Sequence, residues 1–191
     1  LEKILTKARL PEIKKHIKSK TLIYTHYVEE ICHTLKEEIE KDGWKVAFFT
    51  GEDKSGLKRF IEGDVDVLIG SSAIGTGVDG LQNVCNRLII NILPWTHAEF
   101  EQLKGRIYRQ GQKATEVDVI IPLTHAEVNG ENWSWCDSKW NRIQFKKSIA
   151  DASVDGIVPE GHLRSPAQAY QDIMNWLKRL EEGKIGEIQR K

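Results

Sequence analysis

Cysteine is scarce: Cys32, Cys85 and Cys136 are the only three in 191 residues, they lie far apart, and no CxxC pair occurs. An odd, scattered set excludes a disulfide framework, supplies no zinc site, and fits a reducing, cytoplasmic setting. The six histidines show no metal-ligand spacing, so no metal site is expected and each reads as a surface or hydrogen-bonded core residue. No apolar run is long enough to cross a bilayer, and the N-terminal stretch lacks the apolar centre of a signal peptide. No membrane partner is expected. An excess of one charge is missing too, because 28 basic and 28 acidic side chains cancel. Bulk charge therefore says nothing about nucleic acid, and any such surface must come from local arrangement. The first residue is Leu rather than Met, as in a piece of something longer.

What is present suits one good-sized core: 40% of the residues are hydrophobic and 29% charged, near the usual length of a single domain with an appendage. Thr21 to Thr25 is a short apolar run, followed by Val28, Ile31, Cys32, Leu35 and Ile39 at helical spacing up to Gly43. Lys45 to Thr50 reads as a second strand, Leu57, Phe60 and Ile61 as a short helix, Val65 to Gly70 as a third strand, Arg87 to Leu93 as a fourth and Val117 to Leu123 as a fifth. Nearly all-apolar strands alternating with helices predict a doubly wound α/β fold, a parallel sheet with helices on both faces and its chemistry at the carboxyl ends of the strands. Residues 1–19 read as a helical lead-in interrupted at Pro11, with a basic solvated face. From about His125 the alternation stops, and 125–191 reads as a Trp-rich extension with helices over Asp137 to Asp151 and Ser165 to Glu182.

The segment Gln102-Leu103-Lys104-Gly105-Arg106-Ile107-Tyr108-Arg109-Gln110-Gly111-Gln112 carries the strongest chemical signal. Thr96, with Glu99 three residues on, is a capping-box start for a helix running into it. Continued helically, that segment puts Gln102, Arg106 and Arg109 on one face and Phe100, Leu103 and Ile107 on the other. Two guanidinium forks suit a transferring phosphoryl group, since each can donate paired hydrogen bonds to its oxygens. Gly105 between them leaves room for a close approach. Alone, the pair reads as an ordinary solvated arginine face. The glycine-rich loop Ser71 to Gly80, directly after the third strand, is where a parallel sheet places binding loops, although a tight turn explains its glycines equally well.

In their order, Leu22-Ile23-Tyr24-Thr25-His26, Phe49-Thr50-Gly51, Ser71 to Gly80, Leu93-Pro94-Trp95 and Gln102 to Gln112 resemble motifs IV to VI of superfamily II helicases. The Gly-Arg-x-x-Arg-x-Gly-Gln ending is similar to the Swi/Snf-type branch. The resemblance spans about residues 20–123 and implies a C-terminal RecA-like lobe at 20–124. It implies that Arg106 and Arg109 act as arginine fingers on ATP held, with Mg²⁺, mainly by an N-terminal RecA-like lobe. Gln102, Gly77 and Asp79 would face the nucleotide. Thr25, Thr50, Gly51, Ser71 and Ser72 would contact nucleic-acid phosphates, duplex DNA being the expected partner. The chain departs from the branch at Ala73, where an Arg is common, at Asp79-Gly80-Leu81 in place of Asn-Leu, and in the short segment between Gly51 and Asp64.

No GxxxxGK[ST] loop and no DExx segment occurs, so the phosphate cradle and the Mg²⁺ ligands are expected on an earlier part of the natural chain. The alternative is a non-catalytic RecA-like module that binds nucleic acid or protein, against which the intact arginine pair argues. A small-molecule enzyme on a Rossmann-like scaffold would want a GxGxxG pattern after the first strand, and none is there. Trp133, Trp135, Trp140 and Phe145 interleave with Lys139, Arg142, Lys146 and Lys147 in the manner of single-strand binders. The simpler account is that these aromatics fix the extension to the core.

Overall fold

Five short apolar segments become the strands of one sheet in a computed structural model that describes residues 1–26, 29–51, 53–75, 78–128 and 131–155. The chain divides into two units, Leu1–Thr124 and His125–Lys191. In the first, β1 (Thr21–Tyr24), β2 (Val46–Phe49), β3 (Val67–Gly70), β4 (Arg87–Ile90) and β5 (Asp118–Ile120) stand in the order β2-β3-β1-β4-β5. Every pairing is parallel. Parallel strands need long crossovers, and the helices that make them cover both faces, which is why β1 and β3 are buried at every position. The sheet has the parallel α/β architecture that the residue pattern predicts.

The crossovers are α2 (Glu29–Glu40), α3 (Ser55–Glu62) and α4 (His97–Ile107), preceded by α1 (Glu2–Lys15). Ile31, Cys32, Leu35 and Ile39 of α2 meet Ile23, Ile69 and Ile89 of the sheet in one cluster. Full burial of such side chains contributes about 1.5–3 kcal/mol each. Gly56 lets α3 lie directly on β2: a Cβ there would stand 2.1 Å from the Phe48 carbonyl oxygen and 2.9 Å from Ala47 Cβ. Gly63, at φ +103°, closes α3 in the left-handed conformation that glycine adopts without strain.

Two expectations for the lead-in do not hold. Helix α1 runs unbroken through Pro11. Pro11 and Lys7 are both exposed, so water can serve the carbonyl that loses its helical donor, while Leu10, Ile13 and Ile17 are anchored in the core. Nor is the basic face wholly solvated, because Arg9 is buried, donating from Nε to the Leu5 carbonyl and from Nη2 to Glu2, each at 3.0 Å.

The second unit begins with an antiparallel hairpin of β6 (Ala126–Val128) and β7 (Glu131–Trp133) that the residue pattern did not suggest. Helix α5 (Trp135–Asp155) follows, longer at both ends than expected. Its start is capped by Ser134, whose Oγ accepts from the Asp137 amide at 3.1 Å. The helix expected over Ser165 to Glu182 lies outside the described residues. Among the described residues no helix is long and apolar enough to cross a membrane, and no cluster of His, Cys, Asp and Glu could hold a metal.

Candidate functional site

Helix α4 forms where its cap says it should. The Thr96 hydroxyl accepts from the Glu99 amide at 3.2 Å, and the Glu99 carboxylate reaches back to accept from the Trp95 amide at 3.0 Å. This reciprocal pair serves two backbone donors at the helix start. Phe100, Leu103 and Ile107 are buried, as the periodicity predicts. The helix stops at Ile107, however, so Arg109 stands on the turn beyond it rather than at a helical i+7 position. The cause lies in the side chain of Gln112, which folds back to donate to the Ile107 carbonyl at 2.8 Å and the Cys85 carbonyl at 2.9 Å. Gln112 Oε1 in turn accepts from the Ala114 amide at 3.0 Å, and Gly111 makes the reversal at φ +96°.

This exit from α4 is fastened to the loop that leaves β3. Arg106 donates from Nη1 to the Val78 carbonyl at 3.2 Å and from Nη2 to the Gly75 carbonyl. Its Nε is buried and has no acceptor among the described residues. Arg109 Nη1 meets Asp79 Oδ1 at 3.2 Å, with the two side chains 45% and 81% exposed, so this pair is open to solvent. Asp79 also accepts from Gln82 Nε2 at 3.3 Å. Its carboxyl is held below the usual range by the Gln82 hydrogen bond first, then the Gly80 amide and the Arg109 charge. Gln102 is exposed and stands over Gly75, its Oε1 3.8 Å from where a Cβ would be. A Cβ on Gly105 would meet nothing within 4 Å, so this flank of the helix is open. The structure thus brings Gln102, Arg106, Arg109 and Asp79 to one rim, while Gly77 lies outside the described residues. Beyond them Tyr108, 75% exposed, lines a cleft of about 370 Å³ with Arg109, Gln110, Gln112, Ala114, Thr115 and Val117.

The hydroxyl candidates sit at the carboxyl ends of neighbouring strands. Thr50 follows β2, Ser71 follows β3 and Thr25 follows β1. The Ser71 amide donates to the Phe49 carbonyl at 3.1 Å and the Thr25 amide to the Gly70 carbonyl at 2.9 Å, which continues the ladders by one step. All three residues are buried, whereas Ser72 and Gly51 are exposed. The Thr50 hydroxyl accepts from the Asp53 amide at 3.1 Å and so caps a turn, while Thr25 Oγ1 is buried with no partner among the described residues. Asn91, one step past β4, is buried beside Thr25 and donates to the Thr6 hydroxyl at 3.0 Å. Burial first, and the Glu99 charge second, push the Tyr24 phenol up to about 12, so it stays protonated beneath this edge. Burial likewise raises the Cys32 and Cys85 thiols to about 11, which makes both poor nucleophiles.

Residue-pattern reasoning gave Gln112 no task of its own and passed over Asn91 and Lys54. Gln112 has a signal in Gly111, whose positive φ lets a side chain five positions past the helix end turn back to it. Asn91 is a polar residue inside an otherwise apolar run. Lys54 is an exposed cation at the start of α3, four residues past Thr50.

Residues 2–111 match the family described as helicase conserved C-terminal domain. No curated protein matches the chain. Among solved structures, the C-terminal part of the Fun30 ATPase domain is similar, with a TM-score of 0.61, 20% identity, and coverage of 93% of this chain and 54% of that one. The chain thus spans about half the length of that structure. The C-terminal domain of the DEAD-box protein Dbp5 follows at TM-score 0.52, 16% identity, and 79% and 81% coverage. The RNA helicase Prp28 from Chaetomium thermophilum, bound to ADP, has a TM-score of 0.54 and 14% identity over 84% of this chain and 38% of that one. The sheet, the fastened loop and the family match together define a RecA-like helicase lobe. The chain belongs to the helicase conserved C-terminal domain family.

Proposed function

We propose that this chain is the C-terminal half of an ATP-driven, Swi/Snf-type DNA translocase, and that it completes ATP hydrolysis from across an interlobe cleft rather than holding the nucleotide itself. The observation that carries the reading is the exit of α4, which presents Arg109 on an open rim beside the loop after β3. Among the described residues Arg109 has one ion-pair partner, an 81% exposed carboxylate, so its fork can exchange that anion for a phosphate at little cost, since exposed pairs contribute only about 0–1 kcal/mol. Arg106, whose fork is engaged by two carbonyls, stands behind it. ATP with Mg²⁺, held mainly by the N-terminal lobe, supplies the phosphoanhydride whose hydrolysis drives movement.

The residues of this chain then have separable tasks. Arg109 neutralises charge on the transferring phosphoryl group when the lobes close. Asp79 and Gln102 border the nucleotide from the same rim, and Gly77 belongs to the same loop. Ser72 and Gly51 offer exposed contacts to nucleic-acid phosphates, with Thr25, Thr50 and Ser71 shaping the edge beneath them. The Gly105-Arg106-x-x-Arg109-x-Gly111-Gln112 spelling supports the Swi/Snf-type branch and hence duplex DNA. The similar folds include a DEAD-box protein and an RNA helicase, so RNA belongs in the test.

The purified chain should show no steady ATPase activity, because it lacks a phosphate-binding loop. In the full-length protein, Arg109→Ala should leave ATP binding nearly intact and slow nucleic-acid-stimulated hydrolysis about 10³-fold or more, the scale of other arginine fingers acting in trans. Stimulation is measured with duplex DNA and with RNA in parallel. Hydrolysis by the chain alone, or equal rates for Arg109→Ala and wild type at saturating ATP, would remove the finger reading; stimulation by RNA alone would replace the DNA assignment.

A further inference from the structure

We infer that Gln112 is a positioning residue for Arg109: its side-chain amide fixes the turn that carries the finger. This rests on the helicase reading and adds a residue to it. Tyr108, Arg109, Gln110 and Gly111 are all exposed, so burial does not hold this turn in place. Two backbone hydrogen bonds lie along it, from the Tyr108 amide to the Lys104 carbonyl at 2.8 Å and from the Gln112 amide to the Arg109 carbonyl at 3.1 Å. The first continues α4 and the second closes the turn, and neither reaches the sheet. The Gln112 side chain supplies that tie. Its Nε2 donates to the carbonyls of Ile107 and Cys85 at 2.8 and 2.9 Å, and its Oε1 accepts from the Ala114 amide at 3.0 Å.

Both carbonyls belong to residues anchored in the core, Ile107 at the end of α4 and Cys85 just ahead of β4, which are 0% and 1% exposed. The Ile107 carbonyl is one that the end of a helix leaves without a donor, and the glutamine takes the place of the turn that does not follow. Arg109 sits between Ile107 and Gln112 in the chain, so the bond joining those two closes a short loop around the finger. Only a glutamine meets the demand, which is for two N–H donors and one acceptor on a single planar group. Glutamate keeps the acceptor but turns a carboxylate oxygen toward two carbonyl oxygens. Asparagine is one methylene shorter, and lysine has nothing to accept the Ala114 amide. Gly111 brings the backbone round at φ +96°, where a Cβ would stand 3.5 Å from Asn83 Oδ1 and 3.7 Å from Gln82 Cγ. For a group that acts on a transferring phosphoryl, placement counts as much as charge, since a misplacement of about 1 Å can cost about 10²-fold in rate.

The test is a double-mutant cycle on the full-length protein. Gln112→Ala should lower the maximal rate of nucleic-acid-stimulated ATP hydrolysis about tenfold to 100-fold, with the ATP concentration for half-maximal rate little changed. In an Arg109→Ala background the same substitution should cost almost nothing further, because the group it positions is gone, whereas a residue that only stabilises the fold costs the same in both backgrounds. Hydrogen exchange on the chain itself should show the amides of residues 112 and 114 exchanging about tenfold faster or more in Gln112→Ala, with those of β1, β3 and β4 unchanged. Should Gln112→Ala lose sheet protection as well, Gln112→Glu, which keeps the side-chain length and the Ala114 acceptor, should give the same loss of maximal rate on an intact sheet. An equal cost with and without Arg109, a full maximal rate in both Gln112 variants, or a sheet loosened in both overturns the positioning role. An Arg109→Ala protein as fast as wild type would instead overturn the finger reading, and the positioning role with it, while the exchange result would still report what holds the turn.

Discussion

Gly105 sits where the proposed function needs room for an approach from outside, and where its own helix would prefer another residue. It lies near the end of α4, where glycine costs about 0.5–1 kcal/mol relative to alanine, yet among the described residues no atom outside the backbone of its own helix stands within 4 Å of the place its Cβ would occupy. Nothing in the lobe asks for glycine there. Arg106 follows it directly and Arg109 stands on the same rim, so the group most in need of that space is the one that approaches on closure. Gly105→Ala should therefore raise the midpoint of thermal unfolding by a few degrees, about 1 kcal/mol of stability for a domain of this size. The same change should slow ATP hydrolysis by the full-length protein. A variant that gains stability and keeps full activity would mean that nothing comes close to Gly105 when the lobes meet.

Among the elements, those written in local pattern were legible and those decided at a distance were not. The five strands announce themselves as apolar runs, and α4 as a Thr96–Glu99 cap followed by Phe100, Leu103 and Ile107, because both signals lie within a few residues of what they specify. The resemblance to helicase motifs is what grouped Gln102, Arg106, Arg109 and Asp79, and in the structure these four lie on one rim. The end of α4 was not legible, since it is set by Gln112 folding back and by the Cys85 carbonyl, which is 27 positions away. Pro11 misled for a related reason: its local cost is real, but Leu10, Ile13 and Ile17 are held by the core on either side of it. The short α3 is the clearest case of packing written into one residue. Its Gly56 meets a backbone oxygen that cannot move without bending β2, so Gly56→Ala should lift the helix and destabilise the chain by about 1–3 kcal/mol. Denaturant titration should show a lower midpoint with an unchanged slope, and a midpoint equal to wild type would mean that α3 does not rest on β2 through this glycine.

At the scale of the whole molecule, the balance of 28 basic and 28 acidic side chains means that the chain carries no net charge to draw a polyanion to it. Under the proposed function, attraction to nucleic acid would come from particular groups at the carboxyl edge of the sheet, and these differ in kind. Ser72 is an exposed hydroxyl after β3, and Lys54 an exposed ammonium after β2. A hydroxyl that donates to a phosphate fixes register but displaces no condensed counterion, whereas an ammonium neutralises the phosphate and releases one. The two should therefore separate in a salt titration of the full-length protein on duplex DNA. Wild-type affinity should fall steeply with salt. Ser72→Ala should weaken binding by a similar factor at every salt concentration, leaving the slope of log affinity against log salt as it was. Lys54→Ala should make that slope shallower by about one, the loss of a single phosphate contact. Neither change should depend on base sequence, because both groups address the backbone. If both variants bind as wild type across the titration, the nucleic acid does not run along this edge. The exposed groups around the buried Thr50, Ser71 and Thr25 would then serve turns alone, as the Thr50 hydroxyl on the Asp53 amide already does.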